Sequence, residues 1–224
     1  MKILSRGVLA AVVMLTLAAV IHAQNLSKYR NFSFGASLAN VSKQIDRQPI
    51  DAEVVHKQPA LIEELTWYPP ASTDDSVRSA EPVDRVLFSF CNDALYRMLV
   101  IYESSAVAGL TDVDMIRVIS AKYGVATRPV ADVNFPTNPS YRTTEKVIAR
   151  WEDSQYSVNL FRTSYDAFAV VMFDKRLDAQ AEVSIAESIL IEQLEAPQKE
   201  VDRVKKRADD LEGERQKNLK ILRP

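Results

Sequence analysis

Histidine, cysteine and glycine are scarce in this chain of 224 residues, and each scarcity removes a class of chemistry. The two histidines are His22 and His56, and His22 falls in the apolar N-terminal stretch. A catalytic triad or a histidine-rich metal site therefore has only His56 to draw on. One cysteine, Cys91, cannot close an internal disulfide. Five glycines leave little material for a glycine-rich phosphate loop. Charge of one sign is also missing: 28 basic residues face 30 acidic ones, without the basic excess that nucleic-acid binding requires.

What is present begins with an export signal. Lys2 and Arg6 precede an uncharged apolar run from Gly7 to Ile21, and His22-Ala23 leads into the polar stretch Gln24 to Lys28. That order predicts a secretory signal peptide over 1–23, cleaved near Ala23, in place of a spanning helix, which needs about 20 apolar residues. Without Lys2 and Arg6, 26 basic residues remain against 30 acidic ones, a net charge of about −4. The later apolar segments are short and interrupted by charge, so no transmembrane segment is expected after cleavage. An exported domain without disulfides points to a bacterial periplasmic or secreted location. The sequons at Asn25, Asn31 and Asn40 are read as chance matches.

From 24 to 194 the pattern predicts one α+β globular domain. Ser37 caps a helix with Leu38, Val41 and Ile45 at helical spacing, closed by Pro49. Strands are expected at Ala52–His56, Leu61–Tyr68, Arg85–Cys91 and Leu95–Glu103, with Asn92-Asp93 as a tight turn. Ala71–Pro82 reads as a loop. A second helix opens at Thr111, carries Met115, Ile116, Ile119 and Tyr123 on one face, and stops at Gly124. After a loop over Val125–Arg142, strands return at Thr144–Trp151, Tyr156–Thr163 and Ala167–Phe173. In the middle one, Tyr156, Val158 and Leu160 alternate with Ser157 and Asn159, as in a half-solvated antiparallel strand. A third helix from about Asp178 has Val183, Ala186, Leu190 and Leu194 on one side. The expected architecture is an antiparallel meander with helices on one face. The repeated helix-then-strands order suggests a degenerate duplication over about 32–124 and 125–194.

Pro197 is expected to break the third helix and to open a charged helical or disordered tail over 195–224. Val201, Val204, Ala208 and Leu211 recur at three and four residues, a short coiled-coil seam interrupted at Gly213 and Arg215. The tail reads as a solvated helix or as a partner-binding one.

The segment Phe34-Gly35-Ala36-Ser37-Leu38-Ala39-Asn40-Val41 resembles the opening of BamE-like and beta-lactamase-inhibitor-protein-like envelope modules. So does the run from Val86-Leu87-Phe88-Ser89-Phe90 to Leu95, followed by Thr111 to Tyr123-Gly124. The resemblance covers roughly Phe32 to Gly124 and extends to exported bacterial proteins of the same pattern. It implies noncatalytic binding or assembly work in the envelope and transfers no functional residue. The chain departs from the assembly lipoprotein by lacking its lipidated cysteine and by adding the tail.

Candidate chemistry is thin. His56 on a strand reads as a surface or hydrogen-bonded structural histidine. Cys91 beside Phe90 reads as a core thiol. Asp112 and Asp114 match the first spacing of a calcium loop without its remaining ligands, and suit a helix N-terminus. Glu63-Glu64 and Glu152-Asp153 are the carboxylates a glycosidase would use. Trp67 with Tyr68, and Trp151 with Tyr156, offer stacking surfaces or packing. No catalytic, cofactor-binding or metal residue is assigned, and no cofactor is expected. The expected function is protein binding, with a protein partner reached through the sheet face or the C-terminal helix. The alternatives are a carboxylate-dependent hydrolase of envelope glycans or peptides, and a small-ligand carrier.

Overall fold

The computed structural model describes residues 25–69, 82–134, 144–163 and 165–222. The signal expected over 1–23, most of the 71–82 loop and the latter part of the 125–142 loop lie outside the described residues. In chain order the first half contains β1 (Lys28–Tyr29), β2 (Phe32–Ser33), α1 (Leu38–Gln44), a 3-10 turn (Pro49–Asp51), β3 (Glu53–His56), β4 (Ile62–Trp67), β5 (Val83–Cys91) and β6 (Ala94–Tyr102). The remainder contains α2 (Ser104–Val107), α3 (Asp112–Tyr123), β7 (Asp132–Asn134), β8 (Thr144–Glu152), β9 (Tyr156–Arg162), β10 (Phe168–Asp174) and α4 (Lys175–Ile221).

Strands β3 to β10 form one eight-stranded antiparallel sheet in the order β3-β4-β5-β6-β10-β9-β8-β7. The α+β class with an antiparallel meander is therefore the observed one. Helix α1 precedes β3 to β6, α3 precedes β7 to β10, and the two meanders meet where Val100 of β6 faces Val170 of β10.

Local chemistry fixes the joints. Asn92 and Asp93 both have positive φ (47° and 67°), which short polar side chains tolerate and a two-residue hairpin needs. The same turn reaches outward: Asp93 Oδ1 accepts from the Leu38 backbone N–H at 2.8 Å, and Asn92 Oδ1 accepts from that of Leu61 at 3.0 Å. Thr111 and Asp114 cap α3 reciprocally, and Gly124 ends it at φ 77°, ψ −148°, a conformation suited to glycine.

Successive strand residues point to opposite faces, so β6 sends Met98, Val100 and Tyr102 one way and Arg97, Leu99 and Ile101 the other. Met98 and Val100 join Phe88, Trp151, Leu160 and Met172 in the main core, under Val41 of α1 and Met115, Ile119 and Tyr123 of α3. The opposite face meets α4, whose Ala181 and Ile185 pack with Ile62, Cys91 and Tyr96. Helices α1 and α3 thus share one face of the sheet, and α4 takes the other.

Three expectations need correction. Strand β9 is not half-solvated, because Ser157 and Asn159 are both buried. Their polarity is met inside: Arg150 Nε donates to Asn159 Oδ1 at 2.6 Å, and Asn159 Nδ2 donates to Ser157 Oγ at 3.0 Å. Pro197 does not end the third helix, which runs unbroken for 47 residues. Proline forfeits one bond to the Gln193 carbonyl, yet side-chain pairs brace that stretch: Glu195–Lys199 at 2.8 Å and Gln198–Asp202 at 2.9 Å. Finally, the helices do not all lie on one face: α4 sits opposite α1 and α3, turning Asp178, Ala181, Ile185 and Ser188 to the sheet and leaving Val183, Ala186, Leu190 and Leu194 outward.

Candidate functional site

Helix α4 is anchored by charge as much as by apolar packing. Asp174 caps it, its Oδ1 accepting from the backbone of Arg176 and Leu177. One turn on, the buried Arg97 of β6 donates from Nε to Asp178 Oδ1 at 2.7 Å and from Nη2 to Glu182 Oε1 at 2.8 Å. Its guanidinium lies 5.8 Å from the centre of the Phe173 ring. Burial opposes the positive charge, but the Asp178 carboxylate, with Tyr96 and Glu182 adding to it, offsets that, so the Arg97 pKa lies above its ordinary value. Burial pushes the Glu182 carboxyl up, and Arg97 pulls it back in part. Further along, His56 Nδ1 sits 3.0 Å from Glu192 Oε1 and Ser188 Oγ donates to the Gln58 carbonyl. Gln58 Nε2 reaches Glu195 at 3.4 Å, the last of these contacts between the helix and the sheet edge.

The opposite side of the helix is apolar and exposed. Val183 (61%), Leu190 (60%), Leu194 (81%), Val201 (60%), Val204 (56%) and Leu211 (59%) all reach solvent. They share one heptad frame, with Leu194, Val201 and Ala208 at a, and Val183, Leu190, Val204 and Leu211 at d, interrupted by Glu187 at a and Pro197 at d. The seam glimpsed in the sequence at Val201–Leu211 therefore begins some eighteen residues earlier. Periodicity alone does not say which side of the helix meets the sheet, and the break expected at Pro197 separates Val183, Leu190 and Leu194 from the rest.

The structure scatters the other sequence candidates. His56 is the buried, hydrogen-bonded histidine described above. Cys91 is a buried free thiol whose pKa burial raises. Asp114 accepts from Thr111 and Arg117, which hold its carboxyl below the usual range, Thr111 contributing most. Asp112 instead pairs with Arg162 at 3.0 Å.

Glu63 and Glu64, adjacent on β4, point to opposite faces and cannot flank one bond. Burial raises the Glu63 pKa and Asp93 adds to the rise, while Glu64 accepts from Ser89 Oγ at 3.4 Å. Glu152 pairs with Lys175 at 2.8 Å, and Asp153 accepts the Gln155 and Tyr156 N–H groups of its turn. Trp67 packs edge-on to Phe32, and Tyr68 is exposed. Trp151 is buried, donating to the Gly124 carbonyl at 3.0 Å, while Tyr156 stacks on Phe34. Neither aromatic pair forms a shared platform.

The surface has several recesses. A cavity of about 180 Å³ is lined by Arg47, Asp51, Glu53 and Glu64, below the roughly 300 Å³ of ordinary ligand pockets. A larger one of about 650 Å³, between α3 and β8, mixes Arg128, Lys146 and Arg162 with Asp112 and Glu145. Among the described residues no group of three or more histidine, cysteine or acidic side chains is placed to hold a metal ion. Among them, too, no helix is long and apolar enough to cross a membrane. No family model, curated protein or solved structure matches this chain.

Proposed function

We propose that this is a noncatalytic protein-binding module, exported to the bacterial envelope, that engages a partner through the outward face of α4. One observation carries the reading. The helix spans about 70 Å at 1.5 Å per residue, and its tethers to the sheet edge reach only to Glu195. Beyond that point it is exposed on every side yet retains apolar side chains at heptad spacing. A helix that served only as a solvated tail has no use for Val201, Val204 and Leu211 on one stripe, whereas helix-to-helix docking uses such anchors. The signal-like N-terminus and the resemblance to envelope modules support the location.

The test compares the full chain with its Val204→Glu/Leu211→Glu variant as baits in envelope extract, with circular dichroism to check that the helix persists. Retention of a protein by the parent and its loss from the variant is the expected result. Equal retention by both baits, or by neither, counts against the helix as the binding surface.

A further inference from the structure

We infer that the occupant of the α4 stripe is the same stripe of a second copy, aligned parallel and in register as a two-stranded coiled coil. This rests on the binding-helix reading and names its partner. At 100° per residue, Val183 lies about 200° from Ile185, so the stripe faces away from the helix's own sheet. Two copies therefore pair helix to helix with both sheets on the outside.

The flanking charges choose the partner and the direction. With Leu194 and Val201 at a, position g carries Glu200 and Arg207, and position e carries Lys205 and Glu212. In a parallel pair each g residue meets the e residue five positions later in the other chain. Glu200 then faces Lys205, Arg207 faces Glu212, and symmetry repeats both contacts. All four charges meet their opposites. An antiparallel pair aligned on the same apolar residues brings Glu200 to Arg207 but leaves Lys205 and Glu212 opposite Gln198 and Ile191. The intrahelical partners of Glu200 and Glu212, Arg203 and Arg215, are themselves exposed and do not block these contacts.

The experiment is a charge swap in the full chain, read by sedimentation velocity over about 1 to 100 µM. One variant is Glu200→Lys/Arg207→Glu, the other Lys205→Glu/Glu212→Lys. Each alone sets like charges against like across a parallel pair. With four exposed pairs reversed, each homodimer should weaken at least about tenfold. Mixed together, the two variants restore every contact, so a heterodimer as tight as the parent dimer is expected. A monomeric parent throughout the range overturns the proposal, and so does a mixture that stays monomeric. Variants that dimerise alone as well as the parent does overturn the parallel register. Circular dichroism confirms that each variant keeps its helix. If the parent is monomeric and the Val204→Glu/Leu211→Glu bait still loses a retained protein, self-association is refuted and the binding-helix reading stands.

Discussion

Asp178→Ala should be among the most destabilising single substitutions in the helix, although it deletes only a small polar side chain. Arg97 is 5% exposed, and Asp178 supplies its closest counter-charge at 2.7 Å. Removing one partner of a buried pair costs about 3–5 kcal/mol, because the other charge stays desolvated. Glu182 still reaches the guanidinium at 2.8 Å, and its side chain is 38% exposed, so the lower end, about 3 kcal/mol, applies. With a urea slope of about 3 kcal/mol/M for a domain of this size, the unfolding midpoint should fall by about 1 M. The companion variant Arg97→Met/Asp178→Leu removes both charges and keeps the volume. It should lie within about 1 kcal/mol of the parent, whereas Asp178→Leu alone should cost about as much as Asp178→Ala, so the double variant recovers at least about 2 kcal/mol. Urea titration followed by circular dichroism compares the parent, Arg97→Met, Asp178→Leu and the double variant. A single variant that loses less than about 1 kcal/mol, or a double variant that loses as much as the two singles together, would refute the buried-charge argument.

Glu63→Gln tests the raised carboxyl on β4. A pKa above 4.5 in the folded chain means the native state holds the proton more tightly than the unfolded one. Its contribution is favourable below the unfolded value and is lost as pH rises through the folded value, so the variant should be more stable than the parent at pH 7 and not below about pH 4. Equal stability differences at the two pH values in urea titrations would contradict this. Cys91, buried and with its thiol pushed upward, should react with an aromatic disulfide reagent at least about tenfold more slowly in the native chain than in urea. Trp151→Phe deprives the Gly124 carbonyl of its indole donor and shrinks a buried side chain, so thermal unfolding should show a loss of about 2–3 kcal/mol.

Sequence periodicity located eight elements to within two residues, because caps and turns were chemically explicit. Ser37, Asn92-Asp93, Thr111 and Gly124 each perform the local task that their residue types suggest. The errors arose where tertiary context outweighed pattern. Ser157 and Asn159 alternate like a solvent face, but Arg150 turns that polarity inward. The two-residue strands β1 and β2, the one-turn α2 and the three-residue β7 are too short to show any period. Of the candidate site, the Val201–Leu211 seam was legible and its extension to Val183 was not. Arg97 offered one signal: a lone charge amid Leu95, Tyr96, Met98 and Leu99 calls for buried carboxylates, and Asp178 and Glu182 stand four residues apart on the helix.

The orientation of α4 follows from that single charge. Helix α4 has apolar residues on two sides: Leu177, Ala181, Ile185 and Ile189 pack toward the sheet, while Val183, Leu190 and Leu194 lie opposite. Burying that side would have left the Arg97 guanidinium, on the adjacent sheet face, without an anion. Placing Asp178 and Glu182 over Arg97 instead sets the rotation of the whole helix, because a rigid rod has one azimuth. His56 with Glu192 and Gln58 with Glu195 then fall into the same register about three and four turns beyond Glu182. The apolar side is left facing outward by the same rotation, in line with Val201, Val204 and Leu211 beyond the sheet. The polar clamp and the exposed stripe are thus two consequences of one choice of helix face, which is why a substitution at Arg97 or Asp178 that frees the helix to rotate should also bury the stripe it now presents.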